Sequence, residues 1–77
     1  MKDLLLLIAQ GLVSNPEEVS VTVDDVDDNG VTVYHLHVAA DDMGRVIGKQ
    51  GRIAKAIRTV MRSAASRNDE KISVEIE

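Results

Sequence analysis

Gly44-Arg45-Val46-Ile47-Gly48-Lys49-Gln50-Gly51-Arg52-Ile53 is the stretch that decides how this 77-residue chain folds. Two glycines three apart break a run that is otherwise helical on both sides. Ahead of them, Asp41 and Asp42 open a short helix through about Ile47, with carboxylates suited to its positive end. Behind them, Arg52 to about Ser66 is the clearest helix in the chain. Ile53, Ile57, Val60, Met61 and Ala64 share one apolar face, and Arg52, Lys55, Arg58 and Arg62 lie opposite. Glycines at such a corner let the backbone turn sharply and offer bare N–H groups. The following helix starts at once, so its unpaired N–H groups and positive dipole end point the same way. Such a corner attracts phosphate. The spacing alone is equally that of an ordinary helix corner with a glycine cap.

Charge separates the two readings. The formal net charge is −4, yet Met1 to Met43 holds one base against nine acids, a net −8, whereas Gly44 to Glu77 holds eight bases against four acids, a net +4. Within the second half, Gly44 to Arg67 carries seven bases and no acid. Local charge makes the field, so a polyanion meets a basic block in a chain that is acidic on average.

Working outward, Leu4, Leu5, Ile8 and Leu12 fall on one stripe of a short amphipathic helix that stops near Ser14-Asn15-Pro16. Leu6 and Leu7 lie off the stripe, free for solvent or a partner. Val19, Val21 and Val23 alternate with polar residues as a half-buried strand. Asp27-Asp28-Asn29-Gly30 predicts a tight type I′ hairpin, and Val31 to Ala39 is the returning strand. There Leu36 and Val38 point to the core, Tyr34 packs in the sheet, and Val31, Val33, His35 and His37 share the other face. Ile72, Val74 and Ile76 form a last strand. The order α-β-β-α-α-β defines an α+β domain spanning residues 1–77. Its second and last strands, joined through two helices, become parallel neighbours in a three-stranded sheet with the helices on one face.

Several functions fall away. Gly48-Lys49 is followed by Gln50 where a nucleotide-binding P-loop needs Ser or Thr, and the three glycines miss the dinucleotide-binding spacing. His35 and His37 supply half a metal site, with no third ligand fixed by spacing. Asp24, Asp25, Asp27 and Asp28 lack the spacing of a calcium loop and read as a solvated hairpin tip. Ser63 and Ser66 have no matched base, so no catalytic residue, metal ligand or cofactor is assigned and the chain reads as a non-enzyme. The apolar run Leu4 to Ala9 is too short for a signal sequence or a membrane span. The absence of cysteine fits a cytoplasmic protein.

The Gly44–Ile53 run resembles the signature of KH RNA-binding domains, in which an Ile-Gly-x-x-Gly loop joins two helices. The extra helix and strand ahead of the β-α-α-β core are similar to the type II, prokaryotic arrangement, and over its whole length the chain looks like the small bacterial single-KH proteins. The resemblance implies that about four nucleotides of single-stranded RNA are held with the loop clamping their backbone. Gly48 and Gly51 would allow the close approach, and Lys49 and Gln50 would project toward phosphates. Val46, Ile47 and Ile53 would floor the site, flanked by Arg45, Arg52 and Lys55. No aromatic stacking platform is present, which implies permissive binding. The resemblance also implies a homodimer and pairing with a larger KH protein, in post-transcriptional regulation or RNA chaperoning. A small core, the spare leucines and the acidic first half favour a rival reading, a protein-interaction module with secondary nucleic-acid binding.

Overall fold

The computed structural model describes residues 1–77. Helix α1 (Lys2–Leu12) leads through a 3₁₀ turn at Pro16–Glu18 into the hairpin β1 (Ser20–Val23) and β2 (Val31–His37). A second 3₁₀ turn, Ala40–Asp42, enters α2 (Met43–Ile47), and a third, Lys49–Gly51, enters α3 (Arg52–Arg67). Strand β3 (Lys71–Ile76) ends the fold. The sheet order is β1-β2-β3, with β1 antiparallel and β3 parallel to the central β2. This is the expected α+β, type II KH-like architecture. No helix is long and apolar enough to cross a membrane.

The sheet face toward the helices supplies Val21, Tyr34, Leu36, Ile72 and Val74 to the core. Leu5 and Ala9 from α1, Val46 from α2, and Ile57, Met61 and Ala65 from α3 close over them. Leu36 is fully enclosed, worth about 1.5–3 kcal/mol for a side chain of its size. Val38 is buried as expected. Burial also pushes the Tyr34 phenol up from 10.0, helped by the charge of Glu70. The opposite face is open, with Thr22 and Glu75 beside His35 in the register.

Three expectations need correction. The hairpin is not type I′: of Asn29 and Gly30 only Gly30 has a positive φ, 79°. Asp27 takes over the turn, its Oδ1 accepting the N–H groups of Asn29 (2.8 Å) and Val31 (2.9 Å). That local bond stabilises a longer loop than the two-residue turn. In α1 the buried line runs through Leu5 and Ala9, with Leu4 and Ile8 half-buried and Leu12 exposed. Leu6 packs against the core rather than facing solvent, while Leu7 is exposed. In α3 the buried stripe is Ala54, Ile57, Met61 and Ala65, and Val60 is 48% exposed. Counting large apolar residues drew the stripe toward Val60 and Ile53. Packing against a sheet favours the small Ala54 and Ala65, whose size admits a close approach.

Candidate nucleic-acid interface

The glycine loop is built from backbone angles that few residues adopt. Gly48 has φ 76° and ψ 175°, Gln50 φ 59° and ψ 25°, and Gly51 φ 74° and ψ 15°. A methyl group on Gly48 would come within 2.6 Å of Ile53 Cγ1, so the position is closed to a side chain by space as well as by angle. Gln50 bears the left-handed conformation without being glycine, a cost of roughly 1–2 kcal/mol that the surrounding turn must hold in place. Two hydrogen bonds hold it: Gly48 N–H to Gly44 O at 2.9 Å and Gly51 N–H to Gly48 O at 3.2 Å. The backbone N–H groups of Lys49 and Gln50 belong to the turn that runs directly into α3. They sit at the mouth of the 16-residue α3, whose N-terminal dipole adds positive potential there.

Side chains around the loop divide clearly. Arg45, Lys49, Gln50, Arg52 and Lys55 are all exposed, and among the bases only Arg45 has an acidic partner. Ile47 is partly exposed and Ile53 half-buried, so both present apolar surface beside the loop. Val46 is placed differently from the expected floor. It is fully enclosed in the core and supports the loop from beneath, without reaching a ligand.

The structure also brings in residues outside the quoted stretch. Arg58 and Arg62 line a groove between α3 and β3, with Ile72, Ser73 and Val74 on its far wall. β3 pairs only with β2, so its outer edge is free, and Arg58 Nε donates to Val74 O across the groove at 3.2 Å. The sequence signal for these residues was present in the basic face of α3. What it lacked was the topology that puts β3 beside them. The other flank of α3 is apolar: Leu4, Ile8 and Leu12 of α1 face Ile53, Ala56 and Val60, with Arg52 at the end.

Asp42, the one charged side chain in the core, lies just ahead of α2. Oδ1 accepts the Ser14 N–H at 3.0 Å, and Oδ2 accepts the Asn15 N–H at 3.0 Å and Asn15 Nδ2 at 2.9 Å. The Ser14 bond foremost, then those of Asn15 and the nearby Arg45 charge, hold its carboxyl below 3.8 despite burial. His35, on the open face, sits between Asp24 Oδ2 (2.8 Å from Nε2) and Glu77 Oε1 (2.7 Å from Nδ1). Its pKa is raised above 6.5, chiefly by the Asp24 hydrogen bond and then by that of Glu77. No group of three or more His, Asp or Glu residues is arranged around a metal position.

With that geometry in view, residues 2–76 match the family model described as KhpA/KhpB, KH domain. The chain belongs to the KhpA/KhpB family of KH domains. Listeria monocytogenes RNA-binding protein KhpA is 51% identical over 76 residues, covering 99% of this chain and 97% of that one. The Clostridium perfringens protein of the same name is 50% identical, covering 99% of both chains, and that of Chlamydia trachomatis 46%, covering 99% and 95%. Among solved structures, Aquifex aeolicus Era bound to GDP and aluminium fluoride superposes with a TM-score of 0.67. At 18% identity, over 97% of this chain and 28% of Era, that likeness speaks to the fold alone.

Proposed function

We propose that this chain is an RNA-binding protein that holds single-stranded RNA by its phosphate backbone on the Gly48–Gly51 loop. One observation carries the reading. The positive-φ glycine turn opens into a cluster of exposed bases, Arg45, Lys49, Arg52 and Lys55, at the mouth of α3, where the helix dipole adds positive potential. Phosphates accept from N–H groups and from Lys and Arg alike, and successive phosphates suit a site spread over Arg45, Lys49, Arg52 and Lys55. Bases then lie along α3 toward the groove lined by Arg58, Arg62 and the β3 edge. Nothing there fixes a base by aromatic stacking, so sequence preference is low, which fits an RNA chaperone or post-transcriptional regulator of the cytoplasm rather than an enzyme. The names of the bacterial relatives support RNA as the polyanion.

The test is fluorescence anisotropy of a labelled single-stranded RNA at several salt concentrations, with Lys49→Asp, Gln50→Asp as the variant. Asp tolerates the left-handed backbone at position 50, and both glycines are spared. The unaltered protein should bind and weaken with salt. The variant should stay folded and lose at least about tenfold in affinity. Equal binding by both proteins would move the contact off the loop. Competition with DNA of the same sequence decides between the two nucleic acids.

A second reading rests on the apolar flank of α3. Leu12 and Val60 are exposed there beside Leu4, Ile8, Ile53 and Ala56. A second copy of this chain is the occupant proposed, giving a homodimer, with a larger KH protein resembling KhpB as an alternative partner. The small core of a 77-residue chain favours such pairing. Sedimentation equilibrium at tens of micromolar checks it, and a strict monomer would rule it out.

A further inference from the structure

We infer that Asp42 is a positioning residue for RNA binding, holding Arg45 in place on the flank of the glycine loop before RNA arrives. The inference rests on the RNA-binding reading of that loop.

A buried carboxylate needs its lone pairs filled, and Asp42 fills them from one place. Three N–H donors of Ser14 and Asn15, where the chain leaves α1, fix both oxygens at 2.9–3.0 Å. A carboxylate held at three points cannot swing. Arg45 lies one helical turn further along α2, and its Nε sits 3.3 Å from Oδ1. Its side chain remains 59% exposed, while Asp42 is 1% exposed. The guanidinium is therefore held by its Nε end as an ion pair against an immobile charge, while its terminal nitrogens stay open to a ligand. Arg45 stands three residues before Gly48, whose N–H bonds back to Gly44 in the same turn. Lys49, Arg52 and Lys55 form no ion pair. One base at the site is thus oriented beforehand, and the other three are loose.

Orientation matters because a free arginine must give up its rotamer freedom to grip a phosphate, whereas an anchored one has already done so. The consequence runs against simple charge arithmetic. Removing an acid beside a phosphate site should strengthen binding electrostatically. Positioning demands the reverse. It also distinguishes Asp42 from a purely structural staple, since a staple would act on affinity with or without Arg45.

The experiment is a double-mutant cycle of Asp42→Asn and Arg45→Gln, read by anisotropy with a labelled single-stranded RNA of about 12 nucleotides. Asp42→Asn should weaken binding about three- to tenfold, the range for ordering one flexible side chain. The salt slope should stay unchanged, because the contact itself survives. Arg45→Gln should make the slope shallower by about 0.7, one phosphate contact on a single strand. In the Arg45→Gln background Asp42→Asn should have no further effect. Equal loss in both backgrounds, or tighter binding by Asp42→Asn, would overturn the assignment. Should Asp42→Asn fail to fold, the Nε–H order parameters of the unaltered protein still decide. Arg45 should be rigid and Arg52 flexible, below about 0.6, whereas matching mobility would overturn the anchor. Failure of the unaltered protein to bind RNA would sink the underlying reading, a result separate from any in the cycle.

Discussion

The two flanks of α3 were made by one helix and could hardly differ more. Toward β3 it presents Arg58 and Arg62 over a free strand edge; toward α1 it presents Ile53, Ala56 and Val60 over leucine and isoleucine. The buried stripe of Ala54, Ile57, Met61 and Ala65 lies between them. A helix of 16 residues therefore serves three surroundings at once, core, polar groove and apolar groove. The flanks are also joined at one end. Gly48 packs directly on Ile53, which borders the apolar groove, so the loop and that groove share a wall. Under the proposed function the difference gives each flank a different class of partner, polyanion on one side and protein on the other.

The sharpest way to break this division is a charge on the apolar side. Val60→Asp puts a carboxylate where a second copy would cover it, and an unpaired buried charge costs several kcal/mol. The dissociation constant for self-association should rise by about 100-fold or more in sedimentation equilibrium. RNA affinity per protomer should hold within about twofold, apart from the modest repulsion of one added charge. Parallel loss of both activities would mean that RNA binding requires the dimer, and the two flanks would be one site.

Neutralising the polar side should give the mirror result with a smaller effect. Arg58→Gln, Arg62→Gln removes two bases from the α3–β3 groove and should weaken RNA binding on the order of tenfold at moderate salt. The slope of log affinity against log salt should become shallower by about 1.4, taking roughly 0.7 per phosphate contact. Self-association should be unchanged. Thermal stability should fall slightly, since the Arg58 bond to the Val74 carbonyl contributes about 0.5–1.5 kcal/mol. An unchanged salt slope would confine the phosphate contacts to the glycine loop.

What the sequence revealed of these surfaces follows the range of each signal. Element order, the parallel pairing of β2 with β3 and the loop between the helices were legible, because periodicity, Asn15-Pro16 and the spacing of Gly48 and Gly51 are local. The basic face of α3 was legible too. Its facing wall was not, because a strand edge becomes a groove only after the crossover is made. The stripe error had the same origin. Val60 is larger and more apolar than Ala54, and sequence alone ranks it higher, yet contact with a sheet rewards the smaller residue. Asp42 was legible as a carboxylate at the start of α2 because that signal is local, whereas its donors, Ser14 and Asn15, lie 28 and 27 residues away and left no mark in the pattern. His35 likewise read as an open-face histidine, since Asp24 and Glu77 reach it across two different strand neighbours.

His35 gives the smallest effect and a control lying on neither flank of α3. Both ring nitrogens face carboxylate oxygens, and only the imidazolium can donate to both at once. Losing the proton leaves one carboxylate opposite a lone pair. The folded pKa lies above the ordinary 6.5, so the stabilisation is complete below about 6.5 and disappears as pH rises through the folded value. The melting temperature of the unaltered protein should therefore drop by a few degrees from pH 6 to pH 9, the modest size reflecting a partly exposed cluster. His35→Gln should flatten that dependence. Because the cluster lies on the open sheet face, neither RNA affinity nor self-association should follow it once each is compared at one pH. An RNA affinity that tracked the His35 variant would show the open face to be part of the binding surface, and the assignment of one partner to each flank of α3 would have to admit a third.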